Sequence, residues 1–136
     1  MTVEKAKAES LRMQEELIGF FPADWVSARQ TDQTAPLRRC GGADDAYQWT
    51  GFSKLTFGGP KPTDTVIDQI AEHYAGSTLE VRAYDDRTGA RTVQLTGADG
   101  SSYLVGPEAK DDSNVTIDAW SPCFVLPEGD SPLLDY

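Results

Sequence analysis

Residues 78–108 read TLEVRAYDDRTGARTVQLTGADGSSYLVGPE, and this stretch decides the fold class. It contains three runs of alternating apolar and polar residues, separated by the turn sequences DRTG and ADG. The pair Asp99-Gly100 in the second turn is typical of a tight β-hairpin. Connections this short cannot hold a crossover helix, so each strand must pair antiparallel with the next. The stretch therefore predicts an antiparallel meander.

Three further segments extend this sheet. The sequence AYQWTGFSKLTF (46–57) alternates between apolar and polar residues, as a strand with one buried face does. Gly51 lies in its middle and predicts either a bulge or a close contact with another segment. The sequence VTIDAW (115–120) continues the meander after a polar loop, and residues 25–29 form a shorter strand-like piece.

Two helices complete the set of elements. The first runs from Val3 to Phe21 within the N-terminal residues 1–22, with apolar residues on one half of the helical wheel and charged residues on the other. The second ends at Gly76. The predicted order is α-β-β-α-β-β-β-β, with both helices on one face of a mostly antiparallel sheet in an α+β fold. We expect one domain spanning residues 1–136, with an irregular C-terminal tail at 124–136.

The charge of the chain limits its partners. The formal net charge is −10, whereas nucleic acids and anionic lipid surfaces require a basic face. We therefore expect no nucleic-acid binding and no direct binding to anionic lipid. No stretch reaches the apolar length of a membrane span, and the sequence does not open on a basic segment followed by an apolar one.

The two cysteines, Cys40 and Cys123, admit several roles. A structural zinc site needs four ligands, and the chain offers these two thiols and one histidine without close spacing. Two cysteines beside loops favour a disulfide, with free thiols in a cytosolic protein as the alternative. A bond would close a loop of more than eighty residues and contribute about 4–5 kcal/mol in the chain-entropy model. It would persist only in an oxidising compartment.

Several stretches together carry a resemblance: FFPADWV, AYQWTG, VIDQIAEHYAG, TGADGSSYLVGP and SPCFVLPEG. They resemble a group of small actinobacterial cell-envelope lipoproteins of unknown function, of the mycobacterial LppA type. The resemblance implies an extracytoplasmic domain, secreted or held at the outer side of the membrane by a lipidated N-terminus upstream of this sequence. It brings no catalytic residue and no ligand.

The sequence offers no combination of residues that predicts an enzyme. His73 falls on the polar side of the second helix, and Ser53 and Lys54 are strand neighbours that point to opposite faces. Adjacent acids such as Asp85-Asp86 and Asp111-Asp112 are typical of turns, as is the pair at 44–45. A weak surface calcium site at such a turn is the alternative. We therefore expect no catalytic residue, no metal and no cofactor.

A binding role remains, with an unknown protein or small molecule as partner. Phe52 and Trp120 lie on the polar sides of their strands and form a candidate contact patch. The alternative places Trp120 beneath the C-terminal tail and Phe52 beneath a helix or at a sheet edge. An acidic inhibitor or immunity-type protein that blocks a basic enzyme or toxin is a second hypothesis. A carrier of a lipid or another small apolar ligand is a third, and it would require an enclosed apolar cavity.

Overall fold

The computed structural model of the chain describes residues 1–41 and 45–136. It contains two α-helices, α1 (Val3–Ile18) and α2 (Thr63–Tyr74). The strands are β1 (Val26–Thr31), β2 (Leu37–Arg39), β3 (Ala46–Phe57), β4 (Glu80–Asp85), β5 (Arg91–Thr96), β6 (Ser102–Gly106), β7 (Asn114–Trp120) and β8 (Phe124–Val125). Each strand pairs antiparallel with its neighbours, which confirms the α+β class.

The sheet follows the spatial order β1-β3-β7-β6-β5-β4, so the predicted meander runs from β4 to β7 and then returns to β3. The structure adds two short strands to the predicted set. Both pair with the first half of β3, Leu37 opposite Trp49 and Val125 opposite Ala46. Because β2 has three residues and β8 has two, neither shows an alternating pattern. The tail expected to be irregular throughout therefore begins with a strand.

Helix α1 ends at Ile18, three residues before the predicted end at Phe21. The Thr2 hydroxyl caps its start by accepting a hydrogen bond from the Lys5 backbone N–H at 3.2 Å. Gly19 forms the C-cap, since glycine loses more backbone entropy in a helix than other residues. The chain then turns, and the Phe21 ring packs against Phe57 with centroids 6.0 Å apart. The apolar residues predicted for the helix end thus reach the core from a turn.

Both helices cover the same face of the sheet and share one main core. Leu17 of α1 and Ile67 of α2 are fully buried against it. The sheet contributes alternate residues of β3 and β5–β7, as expected when one strand face is apolar. These buried sheet residues are Leu55, Phe57, Val93, Leu95, Tyr103, Val105, Val115, Ile117 and Ala119.

A buried polar contact joins α1 to β3 at the edge of this core. Ser53 donates a hydrogen bond of 2.6 Å to the Gln14 side chain, which in turn donates to Ser10 at 3.2 Å. A Cβ atom on Gly51 would lie 2.5 Å from the Gln14 amide nitrogen and 2.6 Å from the Trp49 ring. Gly51 therefore permits a close approach of α1 to β3, which is one of its two predicted roles.

A smaller apolar cluster lies at the other end of β3. Trp49 is fully buried there with Val3, Ala6, Ala35 and Phe124. The C-terminal residue closes it, because the Tyr136 carbonyl oxygen accepts hydrogen bonds from the Trp49 indole at 2.7 Å and the Ala35 N–H at 2.9 Å.

The disulfide lies beside this smaller cluster. Cys40 and Cys123 are bonded, with their Cα atoms 6.1 Å apart and a sequence separation of 83. Gly100, in the β5–β6 turn, has φ of +90° and leaves room for the Cys123 sulfur. The bond ties the segment after β7 to the segment before β3.

Candidate functional site

The sheet face opposite the helices is open, and its register defines a row of facing side chains. Phe52 of β3 lies directly opposite Asp118 of β7, which lies directly opposite Leu104 of β6. Trp120 follows two residues after Asp118 on the same face and pairs with Thr50. Directly opposite Cβ atoms are about 4.5–5.5 Å apart, so these side chains are neighbours. We call Phe52, Leu104, Asp118 and Trp120 the open-face patch.

The structure therefore brings the two predicted contact residues together. Phe52 and Trp120 are diagonal neighbours across β3 and β7, and both are half-buried. Strand β3 is flanked by β1 and β7, so Phe52 lies neither under a helix nor at a sheet edge. Sequence reasoning did not select Leu104. The alternating pattern of β6 could have identified it. Leu104 lies between the core residues Tyr103 and Val105, so its side chain must point away from the helices.

Asp118 differs from the other acids of the chain. Burial raises the pKa of its carboxyl above the ordinary value, and no charged neighbour contributes to the shift. The cause is desolvation by the residues around it, which disfavours the ionised form. In the part of the chain that the structure describes, no hydrogen bond or ion pair reaches this carboxyl group. The carboxyl is half-buried, with the apolar side chains of Phe52 and Leu104 directly opposite on the neighbouring strands.

A small polar depression adjoins Trp120. It has a volume of about 210 Å³ and is lined by Arg38, Gln48, Gln94, Gly100, Ser102 and Trp120. The Arg38 guanidinium lies over the Trp120 ring at 5.5 Å from its centroid, a cation–π geometry. Gln48 is fixed by donating hydrogen bonds to the backbone carbonyls of Gly100 and Ser121. The depression thus has rigid walls of hydrogen-bonding side chains.

A larger cleft of about 460 Å³ opens between α1, the end of α2 and the β5–β6 turn. Arg12 lies on its wall and donates to Glu9 at 2.6 Å and to Glu16 at 2.9 Å. The hydrogen bond that Arg12 donates to Glu9 raises the pKa of Arg12 most, and the charges of Glu9 and Glu16 raise it further, although desolvation opposes this. The Tyr74 hydroxyl also donates to Glu16. The polar groups of this wall satisfy one another, which gives them a structural role.

Tyr103 closes the floor of the same cleft. Its side chain is buried, and desolvation, with the nearby charges of Glu9 and Asp99, raises the pKa of the phenol to about 12. This cleft opens to solvent, as do the depression beside Trp120 and three further cavities on the described part of the chain, so none of these five is enclosed.

The residues considered for catalysis are dispersed. His73 is exposed on α2, and its ring packs edge-on against Phe20 at 5.1 Å and Tyr74 at 4.8 Å. Ser53 is buried in the contact with Gln14, whereas Lys54 points to the other face and pairs with Glu108 at 3.1 Å.

The paired acids organise turns. Asp86 accepts hydrogen bonds from Thr88 and Ala90, and these bonds lower its pKa. Asp111 accepts from Ser113 and Asn114 with the same effect. Among residues 1–41 and 45–136, no three His, Cys, Asp or Glu side chains are placed as metal ligands would be. The acid pair at 44–45 lies partly outside the described residues.

Comparisons with known proteins add nothing to this geometry. No family model, curated protein or solved structure matches the chain. The resemblance to LppA-like lipoproteins therefore stays a prediction. Within the described residues, no helix is both long enough and apolar enough to cross a bilayer.

Proposed function

We propose that the chain is an extracytoplasmic, non-catalytic domain of the cell envelope that binds a protein partner through its open-face patch. The observation that carries this proposal is the grouping of Phe52, Leu104 and Trp120 around the unpaired carboxyl of Asp118 on a face that no helix covers. Aromatic residues are enriched at the centres of protein interfaces, and tryptophan is among the commonest energetic anchors.

Two further observations support the compartment. The Cys40–Cys123 bond would be reduced in the cytosol and maintained in an oxidising environment. The stretches that resemble LppA-like lipoproteins include SPCFVLPEG, which contains Cys123, and AYQWTG, which follows Cys40 by six residues.

The electrostatics favour a protein partner with a basic surface. The net charge of −10 would repel nucleic acid and anionic lipid, whereas it would accelerate association with a cationic protein. A basic enzyme or toxin inhibited by this domain would be one partner of this kind. The open-face patch would supply the apolar contacts, and the acidic surface would steer the encounter.

Site-specific photo-crosslinking in the producing organism tests the binding role. The photoreactive residue p-benzoylphenylalanine replaces Phe52 in one variant and Glu72, which is exposed on α2, in the control. We expect a discrete crosslinked species from position 52 alone, and its loss when Trp120→Ala is added. Equal crosslinking from both positions, or none from position 52, would contradict the proposal.

Thiol trapping in the same cells tests the compartment. After an acid quench and alkylation, an exported domain keeps Cys40 and Cys123 unmodified until a reductant is added. Two alkylated thiols without reductant would show that the domain resides in a reducing compartment.

A further inference from the structure

The open-face patch contains the Asp118 carboxylate, and the basic side chains closest to it on this face form contacts with other groups. Lys54 is the nearest base in the strand register, because it lies two residues after Phe52, the partner of Asp118. Its ammonium group nevertheless pairs with Glu108 at 3.1 Å. Arg38 lies over the Trp120 ring. In the described part of the chain, no cation therefore pairs with Asp118, although Lys54 and Arg38 lie on or beside the same face.

The apolar frame around Asp118 makes this arrangement costly. Phe52 on one side and Leu104 on the other displace water from the carboxyl group, and burial raises its pKa. A carboxylate that is partly desolvated and unpaired disfavours folding unless something compensates its charge. A cation from another molecule, placed at the carboxyl between Phe52 and Leu104, would offset this cost.

The protein itself shows how aromatic rings of this region hold cations. Arg38 lies 5.5 Å from the centroid of Trp120, and Arg82 lies 4.4 Å from that of Tyr84. Tyr84 of β4 is on the open face as well, and it pairs with Thr92 of β5. A basic side chain approaching Asp118 would meet the Phe52 ring on β3, whereas Arg38 already covers the Trp120 ring two residues along β7. The combination of an anion with an aromatic ring selects for a guanidinium or ammonium group.

We propose that Asp118, Phe52 and Leu104 form a receptor site for one arginine or lysine side chain of the partner protein, beside the Trp120 ring that Arg38 already covers. This inference rests on the proposed function, since it names the chemistry with which the open-face patch recognises its partner. The cation would pair with the Asp118 carboxylate while its apolar stem packs against Leu104 and Phe52. The long apolar stems of lysine and arginine suit such a site, because they bury along apolar surface while the charge stays at the tip.

NMR titration of the purified, oxidised domain tests the site directly. The probes are N-acetyl-arginine methylamide, N-acetyl-lysine methylamide and the neutral isostere N-acetyl-citrulline methylamide, with choline as a small organic cation. We expect the two basic probes to shift the amide signals of Phe52, Leu104 and Asp118 and the Trp120 indole signal. A single contact of this kind should half-saturate at roughly millimolar concentration.

The matched variants are Asp118→Asn and Glu80→Gln. Glu80 lies on the same open face but on the edge strand β4, three strands from β7, so its change removes an equal charge away from the site. We expect Asp118→Asn to weaken binding of the basic probes at least about tenfold and Glu80→Gln to leave it unchanged. Equal binding of citrulline and arginine, binding of choline alone, or equal loss in both variants would overturn the proposal.

The outcomes separate this inference from the proposed function. Failure of all basic probes, with the position-52 crosslink retained, would refute the cation site and leave the binding domain standing. Binding of the basic probes without any crosslink in cells would support the cation site and refute the binding function. The oxidised domain of residues 1–136 is used in the titration, and the amide spectrum of each variant reports whether it is folded.

Discussion

On the face of the sheet that the helices cover, the polar side chains of Gln14 and Ser53 are fully buried and bonded to each other at 2.6 Å. On the open face, Asp118 is only half-buried, yet no group in the described chain pairs with it. Buried polar groups are almost always satisfied in native proteins. The covered face follows this rule as a structural core does, whereas the half-buried carboxyl of Asp118 on the open face is still reached by solvent.

The difference separates residues that specify the fold from residues that the fold merely tolerates. A change on the covered face removes contacts that the native state needs, so it should always destabilise. A change at Asp118 removes a desolvated charge, so it should cost nothing in stability and instead affect recognition. The two faces therefore predict effects of opposite sign, and the following changes test this difference.

The largest effect is expected at Leu17, which is fully buried in the main core beneath α1. Leu17→Asp removes its apolar contacts and places a charge without a partner among apolar side chains. We expect the free energy of unfolding, measured by urea denaturation, to fall by about 5 kcal/mol or to leave the domain unfolded. Leu133→Asp is the control, because Leu133 is 92% exposed and should change stability little. Equal stability of both variants would show that α1 does not belong to the core.

The disulfide should act on both faces alike, because in the chain-entropy model it restricts the unfolded chain. Replacing Cys40 and Cys123 by serine should lower the free energy of unfolding by about 2–4 kcal/mol, less than the ideal value for a closed loop of 83 residues. Urea denaturation with and without a reductant provides the measurement, and the reductant should not affect the double variant. A reductant effect that persists in that variant would show that it acts elsewhere than on the disulfide.

The fold was largely predictable from local patterns. Alternation over residues 46–57 and the turn at Asp99-Gly100 are encoded within a few positions, and the structure places β3 and the β5–β6 turn there. Strands β2 and β8 were not predictable, because strands of three and two residues are too short to show an alternating pattern. Their pairing depends on the Cys40–Cys123 bond and on the burial of Trp49 beside them.

The site was predictable only in part. The patterns of β3 and β7 place Phe52 and Trp120 each on an outward face. Their proximity, however, follows from pairing between strands that α2 and the rest of the meander separate in sequence. The contact of Gln14 was also predictable only in part. The helical wheel shows that Gln14 is a polar residue among apolar ones, but it does not show that Ser53 lies opposite. Both the Phe52–Trp120 proximity and the Gln14–Ser53 contact depend on how the fold brings together segments that are distant in the sequence.

Gly51 provides a moderate test on the covered face. Gly51→Ala adds a Cβ atom 2.5 Å from the Gln14 amide nitrogen and 2.6 Å from the buried Trp49 ring. We expect a loss of about 1–3 kcal/mol in the free energy of unfolding, because the helix and strand must separate to make room. Gly58→Ala is the matched control, since nothing lies within 4 Å of its added Cβ atom. A loss as large in the control would assign the effect to glycine itself rather than to the contact.

The smallest effect, and the only one of opposite sign, is expected at Asp118. Burial raises the pKa of this carboxyl in the folded state above its unfolded value. The folded protein therefore binds the proton more tightly, and this contribution to stability is present at low pH and lost as the pH rises through the raised pKa. Asp118→Asn should match the wild type in urea denaturation at about pH 3, where the carboxyl is largely neutral in both states. At pH 7 the variant should be more stable, by less than about 1 kcal/mol because the group is partly solvated.

Glu80→Gln controls for the general benefit of removing one negative charge from a chain of net charge −10. The difference in the free energy of unfolding between the two variants isolates the local cost of the Asp118 carboxylate, because the other acids are the same in both proteins. A variant that is less stable than the wild type at pH 7 would mean that the fold itself pairs this carboxylate. Greater stability combined with lost binding of the basic probes would instead show that Asp118 is retained for recognition at the expense of stability.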